Sequence, residues 1–313
     1  MSNNPLETAL LRAFKEAQIF LGLRVPPPDL SDSFLYAGKE ASFEVMARHS
    51  NQKEILALEL ARRISERNNK QNLKILDIGT SRGTLFGLLS GILKHLGFMQ
   101  VAFTLVEPDK DSVNMLQPYA RGIVDSSVIN KFSIEIVQRK WEQFDPDLYD
   151  EIICAHMIYH LDPEMYDTLF LKMIKALKPN GRLFIIAREK EDNQAFNFIQ
   201  HIKTLSGEQF NEITIQDALP ALRSIVAVDA SLSMEEDRVE AKVDLPFQSN
   251  QKEAQAVVAF FLQRGSWNEL SAETQTDIMN SYGNSDIQLT QPDRIVTITR
   301  TLDYIEPGTN FTT

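Results

Sequence analysis

Three short stretches carry residues whose types and spacing could do chemistry. They are LKILDIGTSRGTLFG with Gly79 and Gly83, FTLVEPD with Glu107, and CAHMIYHLDP with His156, Tyr159 and His160. In the first, an apolar run ends on Asp77 and Ile78, crosses small residues and restarts at helical period. Such a loop lets a ligand approach the backbone and aims helix amides at it, which suits a polar, nucleotide-like ligand. The dinucleotide fingerprint G-x-G-x-x-G is not met, because Ser81 stands at its second glycine and no third follows at the required spacing. The GK[ST] ending of a phosphate loop is also missing. Glu107 closes the next apolar run, where a carboxylate can accept hydrogen bonds from both hydroxyls of a ribose. A ribose acid beside a glycine loop without a phosphate clamp implies a nucleoside lacking a pyrophosphate, and S-adenosylmethionine fits that description.

The histidines admit two readings. Four residues apart on a helix, His156 and His160 would share a face as zinc ligands. HMIYH lacks the glutamate of a zinc-protease helix and leaves a strand, so a wall of the cofactor pocket is expected and no metal. Histidine titrates near neutral pH and could relay the proton that an amine must lose before it attacks. Cys154, the single cysteine, excludes an intramolecular disulfide and a cysteine-cluster metal site, and its apolar run predicts a buried structural thiol. Phe196, Phe198, Phe260, Phe261 and Trp267 read first as core, and secondly as walls of an aromatic cavity.

These residues need elements to position them. LKILDIG, VAFTLVEP, FSIEIVQ, YDEIICAH and GRLFIIAR read as strands, alternating with helices near Leu85 to Leu96, Asp109 to Ala120 and Met165 to Leu177. That rhythm predicts an α/β fold with a parallel sheet. LKPNGR stops a helix and turns the chain into the fifth strand. Before the sheet, helical spacing covers Pro5 to Leu21, with Leu10, Leu11, Phe14, Ile19 and Phe20 recurring. A stiff connector follows at Pro26 to Pro28, then a helix over Ala41 to Arg67, in two pieces around RHSNQKE. Beyond Arg188, QAFNFIQHIKTL, TIQDALPALRS with Thr214 as N-cap, and EAQAVVAFFLQ read as helices. SIVAVDASLSM, EAKVDLPF and DRIVTITRTLDYIE read as strands, SMEEDRVE as a charged surface turn, and PGTNFTT as frayed.

Composition sets bounds. A net charge of −11 disfavours nucleic-acid binding, which needs Lys and Arg to neutralise phosphates. Charged residues at 24% and the hydrophobic set at 43%, with no long apolar run and no secretory leader pattern, point to a soluble cytoplasmic globule without a membrane partner. Monomer and homodimer remain equally open.

The order ILDIGTSRGTL, LVEPD, YDEIICAHMIYHL and LKPNGRLFI resembles the class I S-adenosylmethionine-dependent methyltransferases over residues 73–188. The resemblance implies a Rossmann-like sheet of seven strands with the last antiparallel. It also implies a helical extension over 1–70 serving as lid or dimer arm, a cofactor core over 71–190, and substrate-binding insertions with closing strands over 191–313. ARHSNQKEI, LVEPDKDSV, CAHMIYHLDP, EITIQDAL and AVVAFFL resemble more closely the histamine N-methyltransferase type. Carried over, Gly79, Thr80 and Ser81 would cradle the methionine portion, with Asp77 and Gly83 flanking them. Glu107 and Pro108 would meet the ribose, Ser112 would add a polar contact, Trp141 and Glu142 would meet adenine, and Ala155 would offer backbone. Tyr159, His160 and His156 would lie at the transferred methyl, and Gln52, Tyr159, Phe196 and Arg300 would meet the substrate.

Two positions depart from that type. Gln52 stands where the histamine enzyme has an amine-binding glutamate, and Arg300 approximately where it has an asparagine, which argues against histamine itself. The function expected is therefore methyl transfer from S-adenosylmethionine, leaving S-adenosylhomocysteine, to nitrogen of a small amine or imidazole-like molecule. The alternatives are O-methylation of a small hydroxyl- or carboxylate-bearing metabolite held by Arg300, or a non-catalytic methyltransferase-like binding protein. A nicotinamide oxidoreductase is disfavoured by Ser81.

Overall fold

The computed structural model describes residues 5–24, 45–67, 72–125, 131–209 and 212–301. The proline connector and the chain end after Thr301 lie outside them. The five apolar runs form β1 (Asn72–Ile78), β2 (Gln100–Val106), β3 (Lys131–Val137), β4 (Tyr149–Ala155) and β5 (Leu177–Arg188). Between them lie α3 (Thr84–His95), α4 (Lys110–Asp125) and α5 (Tyr166–Lys175). Two helices precede the sheet, α1 (Pro5–Arg24) and α2 (Gln52–Ser65), with a short helical turn over 45–48. The later part supplies α6 (Gln194–Leu205), α7 (Ile215–Val228), β6 (Leu232–Leu245), α8 (Gln251–Phe261), α9 (Ala272–Tyr282) and β7 (Ile287–Arg300). No helix among the described residues is long and apolar enough to cross a membrane.

The sheet has seven strands in the order β3-β2-β1-β4-β5-β7-β6, with β7 antiparallel to both neighbours. This is the Rossmann-like arrangement expected. After β3 the chain crosses back to place β4 beside β1, so connections leave the carboxyl edges of β1 and β4 in opposite directions. A crevice opens at that edge, the usual ligand position in open α/β sheets.

Side-chain alternation along the strands divides the core. Ile75, Phe103, Leu105, Ile153, Ala155, Phe184, Ile186 and Ile295 pack under α1 to α4. Leu76, Ile78, Ile152, Cys154, Leu183, Ile185, Val296 and Ile298 pack against α5 and α7. Burial pushes the Cys154 thiol up to about 12, consistent with an inert structural cysteine. Past Arg188, β6 and β7 continue as a two-stranded ribbon. Its Val243, Leu245 and Leu289 form a third cluster with Phe198, Phe261 and Trp267 from α6, α8 and the turn that follows. These aromatics are core, the first of their two readings.

Several expectations need correction. SMEEDRVE is no turn but part of β6, an edge strand in which Glu236 and Asp237 are paired. Asp237 accepts from Arg63 at 2.7 Å, and Glu236 from Arg223 at 2.7 Å and from Arg294 at 2.6 Å. SIVAV continues α7 instead of opening a strand, while Thr214 does cap that helix, its amide donating to Asp217 at 2.7 Å. Pro179 to Gly181 lie inside β5, where the register against β4 shifts between Tyr149 and Glu151. On α1 the buried face is Leu10, Ala13 and Ala17, with Leu11 about half exposed. The second helix does break around His49 to Asn51, and Ser50 there bridges Val243 of β6.

Arg67, just past α2, and Arg182 of β5 both donate to the fully buried Glu151 of β4, at 2.6 and 2.7 Å. Two guanidinium groups thus depend on one carboxylate. Glu151→Leu should cost about 3–5 kcal/mol in urea unfolding, because it leaves Arg182 without its counter-charge and Arg67 with only the more distant Asp150 at 3.5 Å. A loss below about 1 kcal/mol would show that water answers the arginines instead.

Candidate functional site

The crevice begins with the backbone. β1 ends at Ile78, and Gly79 turns the chain at φ +73°, its amide donating to the Val106 carbonyl at 2.8 Å. A Cβ on Gly79 would lie 2.8 Å from Met157 Cγ, and one on Gly83 would lie 2.4 Å from Leu116 Cδ1. Gly83 also has φ +85° as the N-cap of α3, so both glycines are required by conformation and by space.

Glu107 holds this loop. The Ser81 amide donates to Oε2 at 2.8 Å and the Asp109 amide to Oε1 at 2.9 Å, and the residue is buried. A carboxylate has about four lone-pair sites, so both oxygens retain capacity for a ligand. Asp77, buried one residue before the end of β1, accepts the Thr80 hydroxyl at 2.7 Å. Burial pushes its carboxyl up to about 6 against the pull of Thr80 and Lys53. Lys53, half-buried on the first turn of α2, lines one small cavity together with Asp77, Gly79, Thr80, Ser81, Thr84 and Ala155.

The second half of the crevice joins β4, β5 and β7. His156 leaves β4 at φ +56°, and its amide donates to the Ile186 carbonyl at 2.8 Å. Its Nδ1 lies 3.2 Å from the Tyr159 hydroxyl and its Nε2 3.4 Å from Asp293 Oδ2. Tyr159 Oη accepts the Arg188 amide at 2.7 Å, which directs the phenolic proton towards Nδ1 and places the imidazole proton on Nε2, facing Asp293. Gln52 Nε2 donates to Asp293 Oδ2 at 2.9 Å, while Oδ1, equally buried, has no partner among the described residues. Burial holds the His156 imidazole below its ordinary range and the Tyr159 phenol above its own, so both are neutral at pH 7.

Strand register explains this meeting. Arg188 at the carboxyl end of β5 pairs with Asp293 of β7, and Asp293 shares a sheet face with Ile295 and with Asp77. The segment His49 to Asn51 fixes α2 above them. Asp244 donates its amide to the His49 carbonyl at 2.7 Å, and Asn51 its amide to the Lys242 carbonyl at 3.2 Å. A larger cleft of about 450 Å³ continues from Lys53 and Thr84 past Gln18, His49, Glu54, Lys242, Asp244 and Gln288.

The remaining predicted site residues scatter. Pro108 and Glu142 are exposed, Ser112 donates its amide to Asp109 at 2.7 Å, and Trp141 is buried beneath Lys172, 4.8 Å from its ring. Phe196 is buried on α6, with the Lys190 ammonium 5.9 Å from its ring. His160 is exposed at the end of its turn, and Tyr159 pairs with His156 instead. Arg300 is at the opposite, amino edge of the sheet. It donates to the Leu177 carbonyl at 3.2 Å, seven residues along β7 from Asp293, and so does not belong to the crevice. Lys53, Arg188 and Asp293 were not singled out from the sequence. The available signal for Asp293 was an acid one residue ahead of an apolar strand run, where Glu107 follows one.

A family model described as a methyltransferase domain matches residues 48–218. No curated protein matches the sequence. Among solved structures the chain is similar to the YcgJ protein from Bacillus subtilis, at 12% identity over 79% of this chain and 99% of that one, with a TM-score of 0.48. It is similar to magnesium protoporphyrin IX methyltransferase from Synechocystis PCC 6803, solved with bound SAH, at 14% identity over 93% and 98%, TM-score 0.47. The cyclopropane synthase MmaA2 from Mycobacterium tuberculosis gives 13% identity over 92% and 98%, TM-score 0.48.

Asp77 yields a pH prediction. Its folded pKa of about 6 exceeds the ordinary 3.8, so the native state binds the proton more tightly. Its stabilising contribution is full below the unfolded pKa and lost as pH rises through the folded one. Relative to wild type, Asp77→Asn should therefore gain about 1–2 kcal/mol between pH 5 and pH 7.5 in urea unfolding. A difference independent of pH would mean that the carboxyl titrates normally.

Proposed function

The chain belongs to the methyltransferase domain family, and we propose that it transfers the methyl group of S-adenosylmethionine to a nitrogen of a small amine or imidazole-like acceptor. The crevice suits this donor. Glu107 is tied to the loop yet keeps acceptor capacity for ribose hydroxyls, and the Gly79 turn leaves no side chain between backbone and cavity. Thr80, Ser81 and Ala155 border the space for the methionine portion, with Gly83 and Asp77 shaping it. The resemblance alone assigns Pro108, Ser112, Trp141 and Glu142 to the nucleoside side.

The buried, half-unpartnered carboxylate of Asp293 carries the acceptor assignment. An anionic oxygen without a donor is costly inside a protein and is answered by a cationic or N–H-bearing ligand. Gln52 stands at the position of an amine-binding glutamate in the histamine N-methyltransferase type, and here its amide donates to a carboxylate of β7. The acidic group is displaced from the helix to a strand, so the substitution at Gln52 does not penalise an amine. Arg300 offers an anionic acceptor nothing, since it lies at the far edge.

The bound donor supplies an electrophilic methyl on a sulfonium whose charge vanishes on transfer. Asp293 orients the acceptor, neutralises it while charged, and is the nearest base for the proton that must leave the attacking nitrogen. His156, kept neutral by burial, adds no repulsion to an incoming ammonium, and its Nε2 lies 3.4 Å from Asp293 Oδ2. Tyr159 fixes the tautomer.

Titration calorimetry should show Glu107→Ala binding S-adenosylmethionine and S-adenosylhomocysteine more weakly by about 1–3 kcal/mol. In a screen of amines and carboxylic acids followed by S-adenosylhomocysteine release, amines should be the acceptors. Asp293→Asn should lower kcat/KM for them about 30-fold or more while donor affinity holds. Failure of the folded wild type to bind either nucleoside would overturn the reading. Turnover of amines unaffected by Asp293→Asn would remove the carboxylate from it.

A further inference from the structure

The larger cleft has no role in the reading above, yet it adjoins the site. It shares Lys53 and Thr84 with the small cavity of the glycine loop. Lys53 follows Gln52, which donates to Asp293 Oδ2, and it lies in the field of Asp293 itself. A molecule whose nitrogen meets Asp293 can therefore extend its remaining atoms past Lys53 into about 450 Å³ of open space.

The lining of that space reverses the sign of the whole chain. Against a net charge of −11, Arg48, Lys53 and Lys242 outnumber the acids Glu54 and Asp244. Most of these groups are answered. Glu54 accepts the Gln18 side-chain amide at 2.7 Å, and Asp244 accepts that of Gln288 at 2.8 Å. His49, also in the lining, is paired with Glu253 of α8 at 2.5 Å, and Arg48 is engaged as well. Lys53 is offset by Asp293 and Asp77. Lys242 of β6 differs from all of them. Its backbone amide donates to Asn51 Oδ1 at 2.7 Å, but no described residue hydrogen-bonds or ion-pairs with its ammonium. Asp244, two residues further along the same strand face, is bound by Gln288 instead. Three ammonium donors thus remain for a ligand.

We propose that the methyl acceptor carries an amine and a carboxylate at opposite ends of a short chain, the nitrogen meeting Asp293 and the carboxylate meeting Lys242 in the cleft. Lys242 pairs with Thr290, three residues before Asp293 on β7, which separates the two positions by about 10 Å along the strand. That span favours an ω-amino acid over the adjacent groups of an α-amino acid. Glu54 and Asp244 keep their charges, which disfavours a dianionic phosphate and leaves a carboxylate.

The proposal rests on the amine-acceptor reading, and its test separates the two. Release of S-adenosylhomocysteine should be followed with β-alanine, 4-aminobutanoate and 6-aminohexanoate, and with the neutral carboxamide of each, which keeps the shape and loses the charge. At low ionic strength the wild type should favour the best carboxylate over its carboxamide about fivefold in kcat/KM, as for one solvent-reached ion pair. High salt should shrink that margin. Lys242→Met should bring the two forms level, and Lys242→Arg should keep the preference. Equal use of both forms by the wild type would overturn the proposal, as would a preference that survives in folded Lys242→Met or turnover confined to amines without an acid. If no amine of the wider screen turns over, the acceptor reading beneath it fails instead.

Discussion

A carboxylate with no exposure to water has to be answered by the groups around it, and Asp293 sets that condition for this protein. Gln52 meets one of its oxygens, His156 approaches the same one, and Lys53 lies within its field. These neighbours come from two parts of the chain far from β7: Gln52 and Lys53 from α2, and His156 from the exit of β4. The Tyr159 hydroxyl and the Arg188 amide continue the arrangement by settling which nitrogen of His156 carries the proton. What looks like a collection of polar residues is thus one electrostatic problem with a shared solution.

The donor side follows a different logic, in which backbone geometry dominates. Gly79 and Gly83 are needed because Met157 and Leu116 occupy the places that side chains would take. Glu107 then clamps the resulting loop through two amides, so one residue shapes the cavity. The loop is rigid before any ligand arrives, and little ordering cost remains for binding to meet.

The contrast between these halves explains what could be read from the sequence. In the parallel strands β1, β2 and β4 the carboxyl edge is where an apolar run ends, so Asp77, Glu107 and His156 announce themselves by following one. In β7 the direction is reversed, and the residue at that edge precedes its run. Asp293 was passed over for that reason, and Arg300, which does follow the run, falls at the wrong edge of the sheet. Charge alternation hid β6 similarly, since its acids are balanced by Arg63, Arg223 and Arg294, whose proximity only the fold creates. Lys53 gave no signal because nothing about a helical lysine tells which cavity it will border.

Gln52 and Asp293 meet across 241 positions of sequence. Closing so long a loop is entropically late, and β7 is also the last described strand to be synthesised. A nascent chain leaving the ribosome can complete the glycine loop, the ribose acid and the first five strands while the acceptor carboxylate is still unmade. Insertion of β7 between β5 and β6 then adds Asp293, on which the proposed acceptor site depends. Catalytic competence is in this sense a checkpoint on complete folding, and a partially folded chain could hold its methyl donor without being able to spend it.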